Sequence, residues 1–154
     1  DQKEKKQIDQ FINQYKPIII SLNFIPIEFD VQYAFFSNNK RTEKIKRHSC
    51  NIIVTSNVDL QKYDYIIDYN GISGAFTQGC NSLILLLRLL KQMEISHIYI
   101  AGADGYNDEN NYYDSSLVSI TKHDRIFNQE VGLALKELDM DLEFITLSEY
   151  QKYI

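Results

Sequence analysis

The sequence predicts an α/β fold, a Rossmann-like three-layer sandwich with a mostly parallel sheet. Three observations predict it. Helical and strand periodicities alternate along the chain; a continuous β-branched run occurs early, at Ile18-Ile19-Ile20-Ser21-Leu22; and Asn or Asp follows each of five strand candidates. Alternation implies βαβ units, whose crossovers make the strands parallel and put helices on both faces. The 154 residues suffice for one such domain with a real core and are few for two, so a single α/β domain over 1–154 is expected.

Each element has its own signal. Residues 3–15 carry Ile8, Phe11, Ile12 and Tyr15 at helical spacing, and Pro17 closes that helix. The Ile18–Leu22 run suits a strand buried on both faces. Val31 to Ser37 is a second strand, rich in aromatics, and Asn51 to Thr55 and Tyr63 to Asp68 are two more. Gly79 to Met93 reads as a long helix, followed by a strand from His97 to Ala101. Arg125 to Leu138 is a further helix, with Ile126, Val131, Leu133, Ala134 and Leu138 expected inward. Leu142 to Thr146 is a last strand, and Leu147-Ser148 opens a short final helix. No internal repeat or low-complexity linker interrupts the pattern.

Composition narrows the function. Hydrophobic residues make up 44% and charged residues 24%, which argues against disorder. The net charge of -5 argues against a nucleic-acid partner, because phosphate binding wants a basic surface. The one basic cluster, Lys40-Arg41 to Lys44-Ile45-Lys46-Arg47-His48, reads as a solvated helix face. Cys50 and Cys80 form no CxxC pair and read as buried thiols in a reducing compartment. The longest apolar run, Leu83 to Leu90, is broken by Arg88 and falls short of the ~20 residues a membrane span needs. A cytoplasmic protein is expected. The opening Asp-Gln-Lys-Glu-Lys-Lys lacks an initiator Met, so a piece of a longer chain is expected.

In open parallel sheets, ligands bind beyond the carboxyl ends of the strands. That rule singles out Ser21-Leu22-Asn23, Ser37-Asn38, Thr55-Ser56-Asn57, Asp68-Tyr69-Asn70 and Gly102-Ala103-Asp104. Asn and Asp also favour turns and caps, so these segments point to a polar crevice and no further. Phe76-Thr77-Gln78-Gly79-Cys80-Asn81-Ser82 leads into a helix, where free N–H groups could meet an anion or carbonyl; an N-cap by Thr77 or Asn81 is the plainer alternative. Ile98-Tyr99-Ile100-Ala101-Gly102-Ala103-Asp104-Gly105-Tyr106 ends a strand in a small-residue turn, and Tyr112 and Tyr113 follow across a polar loop. Two phenols aimed at one point can stabilise a leaving oxyanion. Of the three histidines, His97 reads as structural and His48 as solvated. His123 sits just before a helix, where a general base could stand. No His or Cys pair has metal-ligand spacing, and neither a metal nor a cofactor is expected.

The run Thr77-Gln78-Gly79, then a helix, then the Gly102-x-Asp104-x-Tyr106 strand end, then Tyr112, resembles the core of the bacterial sialyltransferases that use a CMP-activated sugar. The resemblance implies that Tyr106 and Tyr112 hold the nucleotide phosphate and help it leave without a metal. It implies that Thr77, Gln78, Gly79, Gly102 and Asp104 hold the cytidine, with Asn23 and Asn38 near ribose and phosphate. His123 takes the place of the family's catalytic histidine. Three departures stand out. The Gly-rich phosphate loop of the family is missing, the family serine of its Thr-Ser-Gly turn is Gln78, and only eleven positions separate Tyr112 from His123, where the family has a long lid. Lids exclude water from activated sugars.

A second resemblance runs through Pro17 to Phe24 and Phe35 to Arg41. These segments look like the C-terminal part of bacterial surface-polysaccharide proteins that begin with an aldolase-type barrel. It implies an N-terminal aldolase-type domain as partner and a non-catalytic accessory role here. A pterin-diphosphokinase-like relative is a third reading, disfavoured by the lack of an obvious acidic metal site.

Overall fold

A computed structural model describes residues 2–43, 45, 49–74, 81–106 and 125–154. In chain order the described elements are α1 (Gln2–Tyr15), β1 (Ile20–Leu22), β2 (Tyr33–Phe36), α2 (Asn39–Thr42), β3 (Asn51–Thr55), β4 (Tyr65–Ile67), α3 (Tyr69–Ser73), α4 (Ser82–Gln92), β5 (His97–Ile100), α5 (Arg125–Glu137) and β6 (Asp141–Phe144), closed by a 3-10 helix at Glu149–Lys152. The chain divides into two compact units, Pro17–Leu89 and Asp1–Lys16 with Leu90–Ile154. It is a mixed helix-and-strand protein with parallel sheets, as an α/β fold requires.

The Pro17–Leu89 unit holds a four-stranded sheet in the order β1-β2-β3-β4, with every neighbouring pair parallel. Strand side chains alternate between faces. On one face Ala34 and Phe36 pack with Cys50, Ile52, Val54 and Val58. Phe35 points the other way and is also fully buried. The strand buried on both faces is therefore β2, not β1 as expected. In β1 only Ser21 is buried, and Ile18 lies outside the strand and 75% exposed, because β1 is an end strand of this sheet. Burying a phenylalanine such as Phe35 stabilises by about 1.5–3 kcal/mol. Cys50 is buried as expected, and burial pushes its thiol up from its ordinary value, which makes it a poor nucleophile.

Helix α4 begins in this unit and is apolar nearly all round, with Ile84, Leu85, Leu86 and Leu87 buried. Such a helix belongs to a core. Asn81 caps it, its Oδ1 accepting from Leu83 N at 2.9 Å and Ile84 N at 3.4 Å. Arg88 turns its guanidinium to the carboxyl end of α3, donating to the carbonyls of Ile72 and Ser73. The short helix α3 was not expected, whereas α2 carries Lys40 and Arg41 of the basic cluster read as a helix face. Each starts at an Asx cap, Asn38 accepting from Lys40 N and Asp68 from Asn70 N.

The other unit pairs β5 with β6 in parallel, His97 opposite Asp141 and Tyr99 opposite Glu143. Phe11 and Tyr15 of α1 pack on Tyr99, with ring centres 4.6 and 6.4 Å away. Helix α1 ends at Tyr15 because Lys16 turns left-handed (φ 46°) before Pro17. His97 is structural, as expected: its Nδ1 lies 2.5 Å from Asp141 Oδ2 across the strand pair.

The inward stripe of α5 differs from expectation. Ile126 and Leu133 are 64% and 45% exposed, whereas Asn128, Val131, Gly132, Leu135 and Leu138 line the buried side. On that buried side the Tyr153 side chain packs against Gly132. A Cβ there would fall 2.4 Å from Tyr153 Cδ2 and 2.6 Å from its Cβ. Gly132→Ala should therefore destabilise the chain by about 1–3 kcal/mol in urea unfolding. Combined with Tyr153→Ala, most of that cost should disappear, and a simply additive double mutant would refute the contact.

Candidate functional site

The candidate residues fall into two groups, one in each unit. Thr77, Gln78, Gly79, Tyr112 and His123 lie outside the described residues. Cys80 does too.

In the Pro17–Leu89 unit, parallel pairing brings the ends of all four strands to one edge. Asn23 follows β1 directly. Its backbone is left-handed (φ 64°), a conformation that asparagine tolerates better than most residues, and its N–H donates to Phe35 O at 2.9 Å. Its Nδ2 donates to Ser82 Oγ at 2.8 Å, and Ser82 Oγ lies 2.6 Å from Ser37 Oγ at the end of β2. Asn57 Nδ2, after β3, donates to Ser37 O at 3.3 Å. Strand ends β1 to β3 and the first residue of α4 are thus linked by one neutral hydrogen-bond chain. Asn23 Oδ1 is buried and accepts no hydrogen bond among the described residues. Asn38 stands apart from this chain, with its Oδ1 committed to Lys40 N at 3.0 Å. Of the two expected asparagines, only Asn23 joins the cluster.

In the other unit, the turn after β5 is tied down residue by residue. Gly102 N donates to Thr146 Oγ1 at 2.9 Å. Ala103 O accepts from Ser148 Oγ at 2.5 Å, and Asp104 O accepts from Glu149 N at 2.9 Å. Tyr106 exchanges two bonds with one carboxamide: its N–H donates to Asn128 Oδ1 at 2.8 Å, and its carbonyl accepts from Asn128 Nδ2 at 2.6 Å. Asn128 thereby acts as a strand partner would, and it is buried. Gly102 and Gly105 are left-handed, at φ 68° and 88°. At Gly105 space matters as well, since a Cβ would sit 2.8 Å from Glu149 Cβ. The Tyr106 ring stands edge-on to Phe127, with centres 5.0 Å apart.

Asp104 itself remains exposed, yet its carboxyl is pushed above its ordinary 3.8, first by loss of solvent and then by Glu4 of α1. Gly102, Asp104 and Tyr106 are thus brought together on one immobilised turn. Its braces Thr146, Ser148 and Asn128 went unnoticed in the sequence, as did Ser82. Asn128 carried a signal: it interrupts the apolar stripe 128-131-135-138, and a polar residue at a core position implies a buried hydrogen bond. Among the described residues, no group of three or more His, Cys, Asp or Glu could hold a metal ion, and no helix is long and apolar enough to cross a membrane.

No family model, curated protein or solved structure matches the chain.

Two outcomes follow from the turn. Asn128→Ala would remove both hydrogen bonds that Asn128 makes with the Tyr106 backbone and should cost about 2–4 kcal/mol by denaturant titration. Asp104 has the opposite sign. Its raised value in the fold means that the native state holds its proton more tightly than the unfolded chain does, so stability falls as pH rises through that range. Asp104→Asn should therefore raise the urea midpoint at pH 7. The gain should vanish below pH 3.8, where the carboxyl is protonated folded or unfolded. A gain that persisted unchanged at low pH would refute the electrostatic origin.

Proposed function

We propose that the chain is a CMP-sugar-binding domain of the sialyltransferase-like type, with its helices and sheet arranged as a Rossmann-like three-layer sandwich. The observation that carries the reading is the Gly102–Tyr106 turn. It follows a parallel strand, is locked by four neighbouring residues, and keeps Asp104 exposed at an energetic cost. A residue whose environment works against its charge is a candidate for ligand contact. On this reading Gly102 and Asp104 have the cytidine-contacting role within their own unit.

Transfer on such a site is metal-independent and inverting. An acceptor hydroxyl oxygen attacks the anomeric carbon, and His123 takes the hydroxyl proton. The bond from that carbon to the phosphate oxygen breaks, and CMP departs with the electron pair. Tyr106 and Tyr112 donate hydrogen bonds to the leaving phosphate. The site would act in bacterial surface-polysaccharide synthesis in the cytoplasm.

The alternative is a non-catalytic C-terminal accessory domain of an aldolase-type protein. Gln78 in the place of the family serine and the eleven-residue step from Tyr112 to His123 favour it. Calorimetric titration of the intact protein with CMP separates the outcomes. Binding that weakens by about tenfold or more in Tyr106→Phe with Tyr112→Phe supports the nucleotide site. Absence of CMP binding refutes it. His123→Ala should abolish transfer and leave CMP affinity unchanged. A wild-type protein that binds CMP without transferring sugar supports the accessory domain.

A further inference from the structure

We propose that the outer edge of β6 docks an extended segment in which basic and apolar residues alternate. The site is separate from the residues assigned to the nucleotide. Strand β6 is an end strand of its two-stranded sheet, paired with β5 alone. Asp141 N donates to Ser96 O and Ile145 N to Ile100 O, both toward β5. By the alternation of a strand, the N–H and C=O groups of Leu142 and Phe144 face the opposite edge, where no described strand pairs with them. An unpaired edge of this kind is a template for strand addition, and main-chain hydrogen bonds supply the affinity.

The side chains define what fits. A groove of about 520 Å³ runs along β6, lined by all four of its residues and, beside them, by Leu135, Met140 and Ile154. That volume lies in the range of pockets that take several side chains. By strand alternation the Asp141 and Glu143 side chains point to the opposite face from Leu142 and Phe144 and are exposed, and Asp139 adds a third carboxylate to the lining beside Lys136. Directly opposed residues on paired strands point to the same face. A docking strand would therefore set apolar residues against Leu142 and Phe144 and basic residues against Asp141 and Glu143. A second copy of β6 meets the opposite condition, because antiparallel self-pairing about Leu142 sets Asp141 against Glu143, and like charges directly opposed repel. His97 engages Asp141 from β5, so Asp139 and Glu143 are the carboxylates left to select the partner.

The test is an NMR titration of the isotope-labelled full chain with a capped peptide of alternating Lys and Val, about six residues long to match a typical strand. Saturable shifts at residues 139–144, with slowed amide exchange at Leu142 and Phe144, are expected. Asp139→Lys with Glu143→Lys should weaken the Lys–Val peptide by about tenfold or more and favour a Glu–Val version instead. Neither substituted side chain contributes to the β5–β6 ladder, and both are exposed. No saturable shift on β6, shifts centred elsewhere, or equal affinity of the charge-reversed chain for both peptides would overturn the proposal.

Discussion

In a parallel sheet every strand ends on the same edge, and the chain must cross over a face before the next strand can begin. Both units obey that constraint. In the Pro17–Leu89 unit it gathers Asn23, Ser37 and Asn57 at one edge, where Ser82 joins them. In the other unit it sends the chain out of β5 into the Gly102–Tyr106 turn and out of β6 into the segment that braces it. Strand interiors are mostly apolar, as at Phe35, Phe36 and Ile52, so polar groups gather at the strand ends.

The strand-end turns are also where the backbone departs from easy conformations. Asn23, Gly102 and Gly105 are all left-handed. Gly102 has open space beside it, so its conformation alone calls for glycine, whereas Gly105 is also pressed against Glu149. Glycine enters this region without steric strain, and Thr146, Ser148, Glu149 and Asn128 hold the Gly102–Tyr106 turn in place. The uplifted carboxyl of Asp104 is a further local cost in its unit, and the buried Oδ1 of Asn23, without a partner among the described residues, is one in the other.

The β6 edge follows a different logic. It lies along a strand rather than beyond its end, and its specificity comes from period-two alternation of carboxylates and apolar side chains. Glu143, which opposes Asp141 in a second copy, selects a basic partner together with Asp139.

Strand positions, the parallel class and the polar residues at strand ends were legible from the sequence, because β-branched runs, alternation and turn residues are local signals. The run Asn51–Thr55 became a strand with those bounds, and residues 3–15 became α1 with one residue more. Asn81 as a cap was legible too, since capping is a matter of two or three neighbouring residues. Burial was decided elsewhere. Ile18–Leu22 is the more apolar run, yet β2 holds the doubly buried place, because depth depends on strand order and not on composition. On the inward face of α5, Gly132 lies against Tyr153, 21 residues further along the chain. Asn128 and Ser82 acquired their roles only when Tyr106 and Asn23 arrived beside them. A sequence determines which segments can be helix or strand through neighbouring residues; which side chain meets which is settled by packing across distances no local pattern records.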